Sequence, residues 1–278
     1  MIKLIVEYLS RLMEALHLAV YSYIKPAAPH RFSTKFRDLE STIFTVTSSL
    51  DIYGQVFTAG LDISTGKETL YSAGIGRFFY SSLAKSYRRL GARAHQALNL
   101  VLIPFTLSTA YSLKQQPFLG SFRKIFFTIL DVDNPKDITA LVDGIRQFYG
   151  AGSTALLERG LTSSRLATEK PSIGDILSIL GSKIKDIQYV LNRMDYIIEI
   201  GLEIGRIAAE GVELNDITTR AFLKLARFEC ERLSSIVDFS QKTLYELDRE
   251  LTREGVDLSY LVTPLTLALT LSNYLGGK

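Results

Sequence analysis

Two stretches of the chain, Leu98–Leu113 and Leu258–Leu275, contain no charged side chain. A helix that is apolar on every side must be enclosed, by the rest of the protein or by lipid. Each stretch is interrupted by Thr, Ser, Asn or Pro, and each falls short of the roughly 20 clean apolar residues that a bilayer crossing needs. The expectation is two buried core helices, around which the other elements must be arranged. With 278 residues, 47% hydrophobic and 22% charged, the chain is long and apolar enough for a substantial core, and global disorder is excluded.

The remaining patterning is also helical. Ile5, Leu9, Leu12, Leu16 and Val20 recur at three- and four-residue steps, which predicts an amphipathic helix at the start. Lys25-Pro26-Ala27-Ala28-Pro29 stops it, because proline has no N–H and disfavours helix just before itself. Further helices are predicted over 42–60, 77–90 and 92–113, the last kinked at Pro104. Asn134 or Asp133 is the expected cap of a helix with Pro135 at its first position, and Ile138, Leu141, Val142, Ile145 and Phe148 form its stripe. A polar loop is expected over 158–170. Pro171 and Ser172 start the next helix, followed by helices near 175–205, 215–253 (broken) and 258–275. Strand-like alternation is rare, so fewer than about a tenth of residues should be in strand, against a usual 20–25%. No Pro/Gly-rich linker divides the chain. The reading is all-α, a single multi-helix bundle domain over 1–278.

Composition excludes several functions. Lys and Arg number 32 against 29 Asp and Glu, and a charge of +3 is no nucleic-acid signature. A single cysteine, Cys230, excludes an internal disulfide framework and multi-cysteine metal cages. Three histidines make a histidine-rich metal site improbable. Lys3, Glu7, Arg11 and Glu14 interrupt the first apolar residues, unlike a secretory signal, so a cytoplasmic location is expected. Neither nucleic acid nor membrane is expected as a partner, and a homodimer is left open.

Lys25-Pro26, His30-Arg31-Phe32, Arg37-Asp38-Leu39-Glu40-Ser41-Thr42-Ile43-Phe44 and Ser48-Ser49 form one motif block. Gly91-Ala92-Arg93-Ala94-His95, continuing to Pro104, forms a second. Leu247-Asp248-Arg249-Glu250-Leu251, Gly255-Val256-Asp257 and the apolar tail form a third. In order and spacing the three resemble the signatures of the triphosphoribosyl-dephospho-CoA synthase family. The polar positions depart from that pattern. Ala27 stands at a family glycine, Arg93-Ala94 at asparagine-threonine, Ala97 at a glycine and Thr263 at an aspartate. This is the pattern of a divergent paralogue that keeps a fold while its chemistry changes.

The resemblance implies a transferase that moves the triphosphoribosyl part of ATP onto a ribose hydroxyl of dephospho-CoA and releases adenine. Such a reaction passes through an oxocarbenium-like centre and needs a base for the hydroxyl and cations for the triphosphate. It implies His95 and Asp186 as catalytic groups, and Lys25, His30 and Arg31 as a phosphate-binding loop. Arg89 and Arg93, four apart, share a helix face beside Gly91 and extend the anion cradle. Asp38 and Glu40 are the candidate ligands for the Mg²⁺ that accompanies ATP, although a first-turn capping role explains them equally. Capping also accounts for Asp131, Asp133 and Asp137. Gly74-Ile75-Gly76 lacks the third glycine of a dinucleotide loop. Cys230, between Glu229 and Glu231 in a predicted helix, is a poor nucleophile.

Three functions follow from these residues: an active transferase, a nucleotide- or phosphate-binding paralogue without turnover, and a helical interaction module. Arg93 and Thr263 shift charge at the site by about two units toward positive, which favours triphosphate and disfavours Mg²⁺. Nucleotide binding with weak transfer is expected.

Overall fold

The computed structural model describes residues 1–32, 37–236 and 238–275, with the side chains of Arg37, Asp38 and Ser163 outside the description. The described residues are 76% helical with no strand, so the fold is all-α. No described helix is long and apolar enough to cross a membrane. Packing divides the chain into two compact units, residues 1–9 with 41–191 and residues 10–40 with 192–278.

The first unit is built around α5 (Gln96–Ser112), buried along almost its whole length. The helices α3 (Leu50–Ser64), α4 (Ile75–Leu90) and α6 (Phe118–Leu130) lie against it. The start of α1 (Ile2–Tyr21) joins this unit through Tyr8, which hydrogen-bonds Thr106 at 2.6 Å and stacks on Phe57. Gly60 lets α3 come close, because a Cβ there would sit 2.6 Å from the Leu107 carbonyl oxygen. Polar atoms inside the unit satisfy one another. The Tyr53 hydroxyl donates to Asn99 Oδ1 at 2.6 Å, and Asn99 Nδ2 donates to Ser86 Oγ and Gln96 Oε1, each at 2.9 Å. A second layer contains α7 (Pro135–Phe148), which packs on α4, then α8 (Gly150–Glu158), α9 (Ser163–Glu169) and α10 (Ile173–Gly181).

The second unit contains α12 (Leu214–Ala226), α13 (Glu231–Ser234), α14 (Gln241–Arg253) and α15 (Val262–Leu275). Residues 262–271 of α15 are all buried. The helix α11 (Lys185–Ala209) leaves helical geometry at Arg193, next to the boundary between the units. Beyond it Gly201 faces α15, where a Cβ would lie 3.1 Å from the Ala268 carbonyl oxygen.

Both apolar stretches are buried helices, as expected. Asn134 caps α7 by accepting from Lys136 N, with Pro135 at the first position. Ser172 and Asp175 form a reciprocal capping box on α10. Some boundaries differ from the sequence reading. The helix expected over 42–60 is two helices, α2 (Arg37–Thr47) and α3. The break falls at Ser48-Ser49, whose hydroxyls bond the carbonyls of Thr45 and Ser82. The expected loop over 158–170 contains α9, capped by Thr162. Residues 215–253 form three helices, and Cys230 is an extended N-cap rather than a mid-helix residue.

Replacing Gly60 by Ala should force α3 off α5 and destabilise the protein by about 1–3 kcal/mol. Gly150→Ala at the open start of α8, with nothing within 4 Å of the new Cβ, should be neutral or stabilising. Denaturant melts of the two variants compare these directly.

Candidate functional site

His95 lies where α4 hands over to α5. Gly91, at φ +60°, lets the chain leave α4, and residues 91–93 make one 3-10 turn. His95 then occupies the N-cap position of α5. Its backbone N–H donates to Thr45 Oγ1 at 2.9 Å, and that hydroxyl donates to the Ser41 carbonyl. The ring is held on both sides. Nε2 lies 2.9 Å from Asp186 Oδ2, and Nδ1 lies 3.2 Å from Thr42 Oγ1. The His95 side chain is 24% exposed and that of Asp186 12%. A carboxylate on one ring nitrogen fixes the imidazole and stabilises its protonated form, leaving the other nitrogen toward a hydroxyl. Tyr149 lies near this pair, and burial together with the Asp186 charge pushes its hydroxyl pKa well up. Tyr149 therefore stays a neutral phenol.

Arg89 and Arg93 are exposed in the same unit. The Arg89 guanidinium lies 5.4 Å from the centre of the Phe44 ring, a cation–π contact that holds its charge at the surface.

The loop Lys25–Arg31 belongs to the second unit and is mostly buried. Lys25 is completely enclosed, and its ammonium donates to Ser22 Oγ at 2.9 Å. Burial, aided by the nearby Arg31 charge, pushes its pKa down to about 7. His30 is 1% exposed. Its Nε2 meets Asp248 Oδ2 at 3.3 Å and its Nδ1 accepts the Phe32 N–H. Asp248 Oδ1 also accepts the Ala27 N–H at 2.9 Å, so one carboxylate ties both ends of the loop. Ala27 has φ +59°, a left-handed conformation that suits glycine better. Arg31 is exposed, donating Nε–H to the Tyr21 carbonyl, with its guanidinium 5.7 Å from the Tyr23 ring.

The structure thus joins His95 with Asp186 directly, and gathers Lys25, His30 and Arg31 on one loop of the other unit. Glu40 is exposed and the Asp38 side chain lies outside the described residues. Positions two apart on a helix do not face each other. Among the described residues no three His, Cys, Asp or Glu side chains come together as a metal site. The Mg²⁺ expectation at Asp38 and Glu40 falls partly outside the described residues, and no step below is routed through the ion.

Sequence reasoning named neither Thr42 nor Thr45 as partners of His95, nor Tyr149, nor Asp248 as the anchor of the 25–31 loop. Thr42 and Asp248 do lie inside the motif blocks, which was the available signal. Tyr149 carried none. No family model, curated protein or solved structure matches the chain.

Lys25 generates a pH prediction. Its folded pKa of about 7 lies below its ordinary 10.5, so between those values the unfolded state binds more protons. Stability should rise as pH increases through that window, by roughly 5 kcal/mol at most. Below it the burial penalty on the ammonium is fully present. Lys25→Met should flatten this rise and raise the melting temperature at pH 6. An unchanged pH profile in the variant would mean that Lys25 keeps an ordinary pKa.

Ala27→Gly should stabilise the chain by about 0.5–1 kcal/mol through relief of backbone strain, despite the added freedom of the unfolded chain. Thermal melts of the variant beside the wild type measure it.

Proposed function

We propose that the chain is a divergent relative of the triphosphoribosyl-dephospho-CoA synthases, a nucleotide-dependent transferase in which His95 and Asp186 handle the proton of the acceptor hydroxyl. One observation carries this reading. The histidine and the aspartate that the resemblance assigns separately, 91 positions apart, are hydrogen-bonded at 2.9 Å. Other features support it. Thr42 of the first motif block is bonded to His95 of the second. Within the other unit, Ala27 and His30 of the first block are bonded to Asp248 of the third. The family glycine position, occupied by Ala27, has the positive φ that glycine favours.

In this reading the acceptor hydroxyl oxygen attacks the ribose carbon of ATP that bears the base. A C–O bond forms and the C–N bond to adenine breaks. The hydroxyl proton passes by way of the Thr42 hydroxyl to His95 Nδ1, and Asp186, bonded to Nε2, stabilises the resulting cation. Adenine leaves with the bonding pair and takes up a proton. Arg89 and Arg93, exposed in the same unit, attract the triphosphate. A second reading, nucleotide binding without turnover, is favoured by Arg93-Ala94 standing where the family has asparagine-threonine; in either reading the enclosed Lys25 and His30 offer phosphate no open face.

The test is adenine release from ATP with dephospho-CoA as acceptor, run beside a calorimetric titration with ATP. Slow release is expected, falling by about 10²-fold or more in His95→Asn, with Asp186→Asn changing it in the same direction and nucleotide affinity nearly unchanged in both. Binding without any release selects the second reading. No binding overturns both and leaves the interaction-module reading.

A further inference from the structure

We propose that the second unit carries a pocket for a small single-chain amphiphile with a carboxylate head, formed by α11, α12 and the residues Leu233, Ser234, Ile236 and Phe239. The pocket has a volume of about 310 Å³. This is at the lower end of the roughly 300–1,000 Å³ typical of small-molecule sites.

Its walls follow from helical spacing. Ile200, Ile204 and Ile207 recur at four and three residues along α11, and Ile217 and Ala221 at four along α12. Phe239 closes the third side. Such a surface takes an apolar chain and offers it few hydrogen bonds.

The rim has the opposite character. Arg220 and Lys224 on α12, and Arg227 at its C-cap, line the pocket at four- and three-residue steps. Lys224 is already neutralised by Glu203 from α11. The two arginines are different. Both are exposed, and among the described residues neither has a carboxylate partner. Aromatic rings hold them instead. The Arg220 guanidinium lies 6.0 Å from the Phe239 ring centre, and that of Arg227 lies 5.0 Å from Tyr196 and 4.5 Å from Phe228. Stacking keeps a guanidinium in place while leaving its N–H edge open to a planar anion.

Apolar walls beneath two unneutralised guanidiniums select a ligand with a hydrocarbon chain and one anionic end. The flat fork of arginine matches a carboxylate in geometry. The volume suits a short acyl chain and is too small for a helix.

Calorimetric titration with sodium octanoate, and with 1-octanol as a neutral probe of equal length, tests this. Octanoate should bind saturably, one per chain, and about tenfold or more tighter than octanol, the ratio that a charged hydrogen bond supports. The double variant Arg220→Gln/Arg227→Gln should lose that preference while binding octanol as the wild type does. Ile207→Phe should weaken both probes by filling the pocket, with melting curves confirming that each variant is folded. If Ile207→Phe does not fold, the exposed arginine variants decide alone. Equal affinity for the two probes, no saturable binding, or capture of an acidic amphipathic peptide with indifference to octanoate would overturn the proposal. Adenine release and ATP affinity should be unchanged in the arginine variants, because no residue lining this pocket is among those assigned to the transfer or to nucleotide.

Discussion

The burial of α5 on all sides is the constraint from which the first unit follows. A helix with no charged face loses on the order of 2 kcal/mol for each large side chain left in water, so the chain must surround it. The enclosing elements are α3, α4, α6 and the start of α1, and each reaches α5 by a specific accommodation. Gly60 removes a side chain where α3 crosses. Tyr8 brings a hydroxyl to Thr106. Asn99 and Gln96, the two amide side chains of this uncharged helix, are satisfied by Tyr53 and Ser86 from the flanking helices. In the second unit α15 has the same position, and Gly201 serves the same purpose there.

The candidate site depends on that burial rather than standing apart from it. His95 occupies the N-cap position of the enclosed helix, so a buried element presents the imidazole. Its partners come from two further elements, Thr42 from α2 and Asp186 from the first turn of α11. A residue held from three directions keeps its orientation without a ligand, and such preorganisation is what proton transfer requires. The 25–31 loop uses a comparable device, with the two oxygens of Asp248 bonded to Ala27 and His30.

The helices were legible in the sequence because their apolar stripes are long and regular, and the starts at Asn134 and Ser172 because capping chemistry is local. The break between α2 and α3 was not legible. It depends on Ser49 reaching the Ser82 carbonyl, a bond that exists only once α4 is in place. The division into two units was hidden as well. The boundaries run through α1, α2 and α11, helices whose sequence shows no glycine or proline at the crossing. Of the site, His95 and Asp186 were found through resemblance, since nothing in their own surroundings pairs residues so far apart. The burial of Lys25 ran against the strong tendency of lysine to stay in water.

The polar cluster inside the first unit has a geometric consequence for the histidine. Asn99 follows His95 by four residues, one turn along the same helix. Its amide is clamped between Tyr53, Ser86 and Gln96. Methylene contacts alone would let a helix slide in its sheath, because one is much like the next. A slide of one residue would carry His95 about 1.5 Å along the axis, farther than a hydrogen bond tolerates. The buried amides therefore act as an index pin. They set the axial position of α5, and with it the distance between imidazole and carboxylate at the surface.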